Sequence, residues 1–252
     1  MALDKYDFGL GSSDAVMIAR LRGIPLKSVM GSLQHDPTGM MVHDSSPVHT
    51  FTDLSGHSVA AQPGVPWLLY VINNYHLHDV NVIPLSTNYA PFLHDPNYIQ
   101  QVFVTSEPPI MAYKGIKVRT LWVKETGCDA YLALECSDRY LAAHPDTTRA
   151  FIAATIAGWR GYLSDPASTD AEIIRRNPEM DENQLHLSRQ AMIDYHLVDG
   201  TKEGIGGLDP ARLANQYNIL RGLNIITSDY DVTDAYTTAF LPPTKTFAAP
   251  AK

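Results

Sequence analysis

One carboxylate in the sequence lies where a ligand could use it. Glu107 follows the alternating apolar stretch QQVFVTS, residues 100–106, which is typical of a strand. Two prolines, Pro108 and Pro109, come directly after it, and a carboxylate in this setting is more than a helix cap needs. Because an ionised carboxylate only accepts hydrogen bonds, Glu107 suits a ligand that presents an amino group or a ring N–H group.

Polar residues also follow three other predicted strands. Ligands of open α/β sheets bind outside the carboxyl ends of strands, so these positions are candidate ligand contacts. Each taken singly could instead cap a helix or form a turn. The four groups of candidate ligand-binding residues are Ser12, Ser13 and Asp14; Gln34, His35 and Asp36; Gly64 to Trp67; and Ser106 with Glu107.

Several kinds of chemistry lack their sequence pattern. The stretch GLGSSD begins with Gly9 and Gly11 but continues without the third glycine of a dinucleotide-binding loop, and Asp14 would repel a pyrophosphate. The sequence contains no G-x-S-x-G motif, and no cysteine has an evident partner histidine. We therefore assign no catalytic residue and predict no cofactor.

Neither the histidines nor the cysteines indicate a metal centre. His76, His78 and His94 do not form the pattern of two histidines one helical turn apart, so we predict no metal site. Cys128 and Cys136 are too few for a disulfide framework and lack the second pair that a zinc site would need. We expect them to be buried or half-buried thiols.

Composition is that of an ordinary globular chain. With 252 residues, 45% hydrophobic and 18% charged, it can bury one large core or two modest ones. A formal charge of −8 and the lack of a Lys/Arg cluster argue against nucleic acid or an anionic membrane surface as a partner. The sequence has no apolar run long enough to span a membrane, and its first residues do not read as a secretory signal.

The elements that must position the polar residues alternate between strand and helix through the first half of the chain. Residues 6–10 are predicted to form a strand that leads into a helix capped near Ser12, and residues 24–29 form the next strand. A second strand–helix–strand unit is predicted in HSVAAQ, GVPWLLYVINNYHL and VNVIPLS. Further predicted strands are residues 39–43, QQVFVTS, KVRTLWV and AYLALECS; predicted helices are EPPIMAYKG and residues 147–163, 171–176, 182–197 and 210–220.

The order of these segments resembles one family over nearly the whole chain. The resemblance is to the solute-binding proteins of the thiamine-pyrimidine-precursor type, which are relatives of the yeast pyrimidine synthase. The segments that carry it are DFGLGSSDAVMIARLRGIPL, LQHDPTGMMV, FTDLSGHSV, TSEPPIMAYKGIKV, HPDTTRAFIAATIAGWRGYLSDP, LDPARLANQYNIL and DVTDAYTTAFL.

The resemblance implies an α/β fold of the type II periplasmic-binding-protein class with two lobes. Lobe 1 would comprise residues 1–44 and 127–252, and lobe 2 residues 45–126. The implied function is to bind a small molecule, by closure of the lobes near Val42 and Asp129, and to deliver it to the permease of an ABC importer. The implied location is periplasmic or extracellular at the membrane.

The resemblance also implies roles for individual residues. The family's Asn-Glu-Pro stretch corresponds to Ser106, Glu107 and Pro108, so the carboxylate is kept while its neighbour differs. In members that bind aminopyrimidines, an acidic group of this kind resembles a recogniser of the amino group, with aromatic side chains stacked on the ring. Trp67 and Tyr89 are the candidates for stacking.

Members of the family begin with a strand, a helix and a second strand that have no counterpart before Met1. The resemblance therefore predicts that the chain is N-terminally incomplete, or that its sheet is rearranged, or that a second copy in a homodimer covers the strand near residues 6–10. Three alternative functions stay open at this point: a pyrimidine synthase-like enzyme, a desulfinase-like enzyme, and a cytoplasmic ligand sensor.

Overall fold

The chain forms two compact units. The computed structural model describes residues 5–86, 88–200 and 204–243. Unit 1 contains the described residues of Met1–Asp36, Ala130–Met180 and Met192–Lys252, and unit 2 contains those of Pro37–Asp129 and Asp181–Ala191.

Strands and helices are interspersed as far as the eighth strand, after which the described chain is mainly helical. In chain order the strands are β1 (Phe8–Ser12), β2 (Leu26–Leu33), β3 (Thr38–His43), β4 (Ser58–Ala60), β5 (Asn81–Ile83), β6 (Ile99–Phe103), β7 (Val118–Trp122) and β8 (Leu132–Ser137). The α-helices are α1 (Ser13–Leu21), α2 (Pro66–Asn74), α3 (Ala90–His94), α4 (Glu107–Tyr113), α5 (Asp138–Ala143), α6 (Pro145–Ser164), α7 (Ala167–Arg176), α8 (Glu182–Asp194) and α9 (Pro210–Gly222).

Unit 1 is built on a three-stranded sheet in the order β1–β8–β2, with β8 antiparallel to both neighbours. The predicted strand–helix–strand succession at its start is confirmed, and Gly23 ends α1 with a φ of +76°, which glycine adopts without strain. The strand begins at Phe8 rather than Tyr6. β1 and β2 run parallel but do not touch as neighbours, because β8 lies between them.

Helices α1 and α9 cover the sheet of unit 1 with apolar residues. Val16 and Met17 of α1 are about 1% exposed and share a cluster with Tyr131, Leu213 and Leu220. The long helix α6 begins two residues before its predicted start. Ile152 and Ile156, four residues apart on one face of this helix, are 0% and 2% exposed.

Unit 2 is built on a five-stranded sheet in the order β5–β4–β6–β3–β7. Strands β5, β4 and β6 are parallel, whereas β3 is antiparallel to β6 and β7. The second predicted strand–helix–strand unit is confirmed as β4, α2 and β5. A buried cluster of Met41, Phe92, Val102 and Met111 packs between the sheet and its helices.

The boundaries between the two units differ from the lobe boundaries expected at 44/45 and 126/127. The first segment of unit 2 covers Pro37–Asp129. Residues 37–44 belong to unit 2, because β3 pairs with β6 and β7 in that sheet. Residues 181–191, expected in lobe 1, also belong to unit 2, where Asn183 Nδ2 donates a 3.4 Å hydrogen bond to Tyr113 Oη.

A capping box fixes the turn at Phe51–Leu54, and its removal is expected to destabilise unit 2. Asp53 Oδ2 accepts hydrogen bonds from the backbone N–H groups of His49 and Thr50 and from the Thr50 hydroxyl. These bonds lower the pKa of Asp53 below its ordinary value of 3.8. We expect Asp53→Ala to lower the free energy of unfolding by about 1 kcal/mol at neutral pH, measured by urea unfolding.

The stabilisation by Asp53 depends on the ionised carboxylate. Because its pKa is lowered in the folded chain, this stabilisation is present above the ordinary pKa and is lost as the pH falls through the folded-state pKa. The difference in the free energy of unfolding between the native chain and Asp53→Ala should therefore become smaller at acidic pH. Glu179→Ala, which removes an exposed carboxylate, serves as the control. If the free energies of unfolding of the native chain and Asp53→Ala differ by the same amount at all pH values, the prediction is wrong.

Candidate functional site

Three parallel strands of unit 2 end at one edge of its sheet. Candidate residues follow each of them in the chain: Gln62 and Gly64 come after β4, Tyr89 after β5, and Glu107 after β6. Gln101 ties two of these ends together, because its Oε1 accepts a 3.0 Å hydrogen bond from the backbone N–H of Gln62. The carboxyl edge of β5, β4 and β6 thus gathers most of the candidate residues of unit 2.

Glu107 is the first residue of α4, and its carboxylate reaches back to the strand that precedes it. Its Oε2 accepts a 2.9 Å hydrogen bond from the backbone N–H of Phe103. Its Oε1 accepts no hydrogen bond from any residue within the described ranges. The half-buried side chain is therefore held in place by one oxygen and keeps the other available as an acceptor.

Tyr89 follows β5 and packs against the apolar cluster around Phe92. Burial raises the pKa of the Tyr89 phenol, and the negative charge of Glu107 raises it further. The phenol therefore stays neutral at physiological pH. A half-buried aromatic ring and a half-buried carboxylate thus both follow strands that end at this edge.

The other predicted residues of unit 2 differ in how far they are open to a ligand. Ser106 precedes α4 but does not cap it through its hydroxyl. Gly64 is exposed, has a φ of +73°, and would have open space around an added Cβ. Trp67, in the first turn of α2, is only 6% exposed, so its ring packs inside unit 2 and its stacking role stays a prediction.

The predicted residues of unit 1 also meet at one sheet edge. Ser12 and Leu33 both pair with Leu132, one from each side, so the ends of β1 and β2 flank the start of β8. The Ser12 hydroxyl donates to Asp14 Oδ1, which also accepts a 2.8 Å bond from the backbone N–H of Ala15. This Ser12–Asp14 pair is half-buried.

Ser13 holds three elements together. Its hydroxyl donates a 2.7 Å hydrogen bond to Gln216 Oε1 on α9 and accepts a 3.0 Å bond from the backbone N–H of Tyr131. Its own backbone N–H donates to the Tyr131 carbonyl. Ser13 is 1% exposed, so its hydroxyl lies in the interior of unit 1. Its contact with a ligand stays a prediction.

We expect Ser13→Ala to lower the free energy of unfolding by about 2 kcal/mol, because it leaves the buried Tyr131 N–H and Gln216 Oε1 without their partner. Chemical denaturation measures the effect. The adjacent Ser12→Ala is the matched control and should cost less than about 1 kcal/mol, since its hydroxyl bonds a half-buried carboxylate. Equal losses in the two variants would contradict the assignment.

Gln34 is completely buried at the same edge. Its Nε2 donates 3.1 Å hydrogen bonds to the carbonyls of Gly31 and Gly207, while its Oε1 is buried and accepts none from the part of the chain that the structure describes. His35 is 7% exposed, and Asp36 follows it at the last residue of this segment of unit 1. These three positions stay predicted ligand contacts.

Three residues of these edges were missed by the sequence reasoning. Gln216 lies in α9 among buried Leu213, Tyr217 and Leu220, and a polar residue on an apolar helix face was the available signal. Arg212 places its guanidinium 3.8 Å from the Tyr131 ring centroid, and Gln101 bridges strand ends. Neither of these last two had a sequence signal.

A groove of about 370 Å³ opens in unit 1, but none of the candidate residues lines it. Arg20 forms one wall and donates a 2.6 Å hydrogen bond to Asp138 Oδ2. Pro25 lies just before the start of β2, and Asp138 lies just after the end of β8. The groove is therefore at the opposite end of these strands from Ser12 and Gln34.

The two cysteines match their predicted packing role. Cys128 and Cys136 are both buried, as expected, and burial raises the pKa of Cys136 to about 11, so this thiol stays protonated at neutral pH. Within residues 5–86, 88–200 and 204–243, no group of three or more His, Cys, Asp or Glu side chains could hold a metal ion. None of the helices described there is long and apolar enough to cross a membrane.

The chain has a periplasmic-binding-protein fold, as its similarity to solved structures of that fold shows. A solved structure of this fold, the periplasmic aliphatic sulphonate binding protein SsuA from Escherichia coli, is similar over 96% of this chain and 79% of that chain, with a TM-score of 0.66 and 16% identity. The chain belongs to the NMT1/THI5 like family, whose model matches residues 1–169. This membership confirms the family resemblance.

Two curated relatives extend the comparison. The riboflavin-binding protein RibY of Chloroflexus aurantiacus is 22% identical over 246 residues, which are 93% of this chain and 70% of RibY. The 4-amino-5-hydroxymethyl-2-methylpyrimidine phosphate synthase of Schizosaccharomyces pombe is 26% identical over 200 residues, 72% of this chain and 57% of that enzyme. The chain thus spans only part of the length of each relative.

Proposed function

We propose that this protein is the solute-binding component of an ABC importer and that its ligand is a flat nitrogen heterocycle, such as an aminopyrimidine. The observation that carries the proposal is the half-buried Glu107 carboxylate at the carboxyl edge of β5, β4 and β6, which bonds the Phe103 N–H through one oxygen only. Glu107 Oε1 accepts the amino or ring N–H group of the ligand, and the ring of Tyr89 packs against the heterocycle.

The charge at this edge distinguishes between ligand classes. The stretches 61–66, 84–89 and 104–107, which follow the three parallel strands, contain no Lys or Arg. A sulfonate would meet the Glu107 carboxylate without a compensating cation, which is unfavourable in a half-buried site. Riboflavin and an aminopyrimidine, named in the two curated relatives, share a flat ring with N–H donors. This shared chemistry supports a heterocycle rather than a sulfonate.

The proposal assigns the other partners by the same reasoning. Binding is non-covalent and needs no cofactor, and an ABC permease receives the ligand, so the protein works in the periplasm or outside the cell at the membrane. Ser106 and Gly64 are proposed as further contacts because both lie at the edge that carries Glu107.

Isothermal titration calorimetry tests the proposal with three probes: an aminopyrimidine, riboflavin and an alkanesulfonate. We expect saturable binding of at least one of the two heterocycles and none of the sulfonate. Circular dichroism establishes that the titrated sample is folded. A folded sample that binds only the sulfonate, or none of the three, would overturn the proposal.

An enzyme of the pyrimidine synthase type is the second candidate function. The similarity to the Schizosaccharomyces pombe synthase supports it, whereas the protonated Cys136 offers no nucleophile. Mass spectrometry after incubation with the bound heterocycle separates the two functions. A binding protein returns ligand and chain unchanged in mass, and a change in either mass would favour the enzyme.

A further inference from the structure

The groove of about 370 Å³ in unit 1 has the size of a small-molecule pocket. It lies where β2 begins and β8 ends, away from the polar residues at the other end of these strands. Charged and apolar residues share its wall, and the heterocycle proposed above uses none of them. The groove is therefore a candidate for a second binding site.

An ion pair between Arg20 and Asp138 forms part of the wall and is joined by one contact only. Arg20 Nη1 donates a 2.6 Å hydrogen bond to Asp138 Oδ2. A guanidinium and a carboxylate can instead form two parallel hydrogen bonds. Here Asp138 Oδ1 is buried and accepts no hydrogen bond from the described residues, and Arg20 Nη2 donates to none of them. The pair thus leaves one acceptor and one donor unused.

Charges of both signs lie around the groove. Arg20 Nε and Lys27 Nζ donate to the same carbonyl oxygen of Asp234, at 2.6 and 2.8 Å, so the two cations lie close together. The carboxylates of Asp138 and Asp234 belong to residues of the groove wall. A ligand with a single charge of either sign would therefore meet a like charge, whereas a ligand that carries both signs can match them.

We propose that this groove is a second binding site of the protein and that its ligand is a free α-amino acid. The ammonium group of the ligand donates to Asp138 Oδ1, and its carboxylate accepts from Arg20 Nη2. The Asp138 side chain is 38% exposed, and its carboxyl group can turn about the terminal torsion to meet the ligand. An α-amino acid carries both charged groups on one carbon, which suits two unused atoms of a single ion pair.

The rest of the wall favours an apolar side chain on the amino acid. Ile24 and Tyr230 are half-buried residues of the groove. The Tyr230 hydroxyl donates a 2.9 Å hydrogen bond to the Met17 carbonyl, which fixes the ring and leaves its apolar surface for a ligand. Gly23 leaves room beside them, because an added Cβ there would meet nothing within 4 Å. We therefore expect phenylalanine to bind better than serine or aspartate.

Calorimetry tests the ligand class with L-phenylalanine, with 3-phenylpropionate, which lacks the ammonium group, and with phenethylamine, which lacks the carboxylate. We expect saturable binding of phenylalanine with a Kd of about 1 mM or tighter. The other two probes should bind at least about 10-fold more weakly, because each leaves one charged group of the groove without its partner. A native chain that does not bind phenylalanine, or that binds either of the other probes equally well, would overturn the proposal.

NMR spectroscopy of the native chain tests the location. The Nε–H signal of Arg20 should shift as phenylalanine is added, whereas that of Arg175, which is exposed and paired with Glu172, should stay unchanged. The groove belongs to unit 1 and Glu107 to unit 2. Shifts that occur around Glu107 and not at Arg20 would place the amino acid at the heterocycle site and overturn the proposal.

A substitution of Asp138 tests its role. Asp138→Asn should weaken phenylalanine binding at least about 10-fold, because a neutral amide replaces the carboxylate that pairs with the ligand ammonium. Asp146→Asn is the matched control, since Asp146 also lies in the first turn of a helix and pairs with an arginine, and it should bind as the native chain does. Circular dichroism establishes that both variants are folded; if Asp138→Asn is not, the Arg20 signal of the native chain decides. A folded Asp138→Asn with unchanged affinity would overturn the proposal. Heterocycle binding should be the same in both variants, so the two binding sites can fail separately.

Discussion

Replacing Gly31 with alanine is expected to destabilise unit 1 by about 3 kcal/mol or more. An added Cβ would lie 2.6 Å from the Gly207 carbonyl oxygen, 2.8 Å from Gln34 Nε2 and 2.9 Å from a ring carbon of Tyr131. Two of these neighbours cannot move cheaply, because the Gly31 N–H donates to Gly206 and Gln34 Nε2 donates to Gly207. The result is overpacking plus strained buried hydrogen bonds.

Thermal and chemical unfolding measure this effect, and Gly158→Ala is the matched control. Gly158 lies inside α6, and an added Cβ there would meet nothing within 4 Å. Since alanine is the better helix former, Gly158→Ala should stabilise the chain by about 0.5–1 kcal/mol. Similar stabilities of the two variants would show that the packing around Gly31 is looser than described.

The local elements of this fold could be predicted because local chemistry determines them. Pro66 begins α2, Gly23 ends α1, and the alternation around Phe103 indicated β6. The position of β8 between β1 and β2 could not be predicted, because strand order depends on pairings between residues that are 99 to 128 positions apart. Gly31 is a second example of a long-range contact that could not be predicted. A glycine inside a strand indicates that another part of the chain packs closely against it, but the sequence does not identify that part as Gly207.

The candidate site was predictable to a similar extent. The carboxylate of Glu107 and its place after a strand could be read from the sequence, whereas its hydrogen bond to Phe103 could not. Ser13 and Gln34 follow strands as well, yet both are buried and bonded to the chain itself. A strand end identifies where a polar residue lies but not which way its side chain points, since that depends on helices packed from elsewhere in the chain.

Glu107 is the position at which a substitution should affect binding most. We expect Glu107→Gln to lower the affinity for the heterocycle about 100-fold, because the charged carboxylate that accepts the ligand N–H group becomes a neutral amide. The fold should be kept, since the glutamine carbonyl oxygen can still accept the hydrogen bond of the Phe103 N–H. Calorimetry with the heterocycle that binds the native chain measures the affinity, and unfolding measures the stability.

Two further variants separate recognition by Glu107 from a general disturbance of the site. Glu182→Gln, at the start of α8, changes the net charge of unit 2 equally but lies in another element, so its affinity should match that of the native chain. Tyr89→Phe keeps the aromatic ring and should bind nearly as well as the native chain, whereas Tyr89→Leu removes the ring and should weaken binding about 10-fold. Affinity that is unchanged in Glu107→Gln would exclude this carboxylate from the ligand site. Unchanged affinity in Tyr89→Leu alone would exclude the ring but leave the carboxylate as the contact, because the two side chains act on different parts of the ligand.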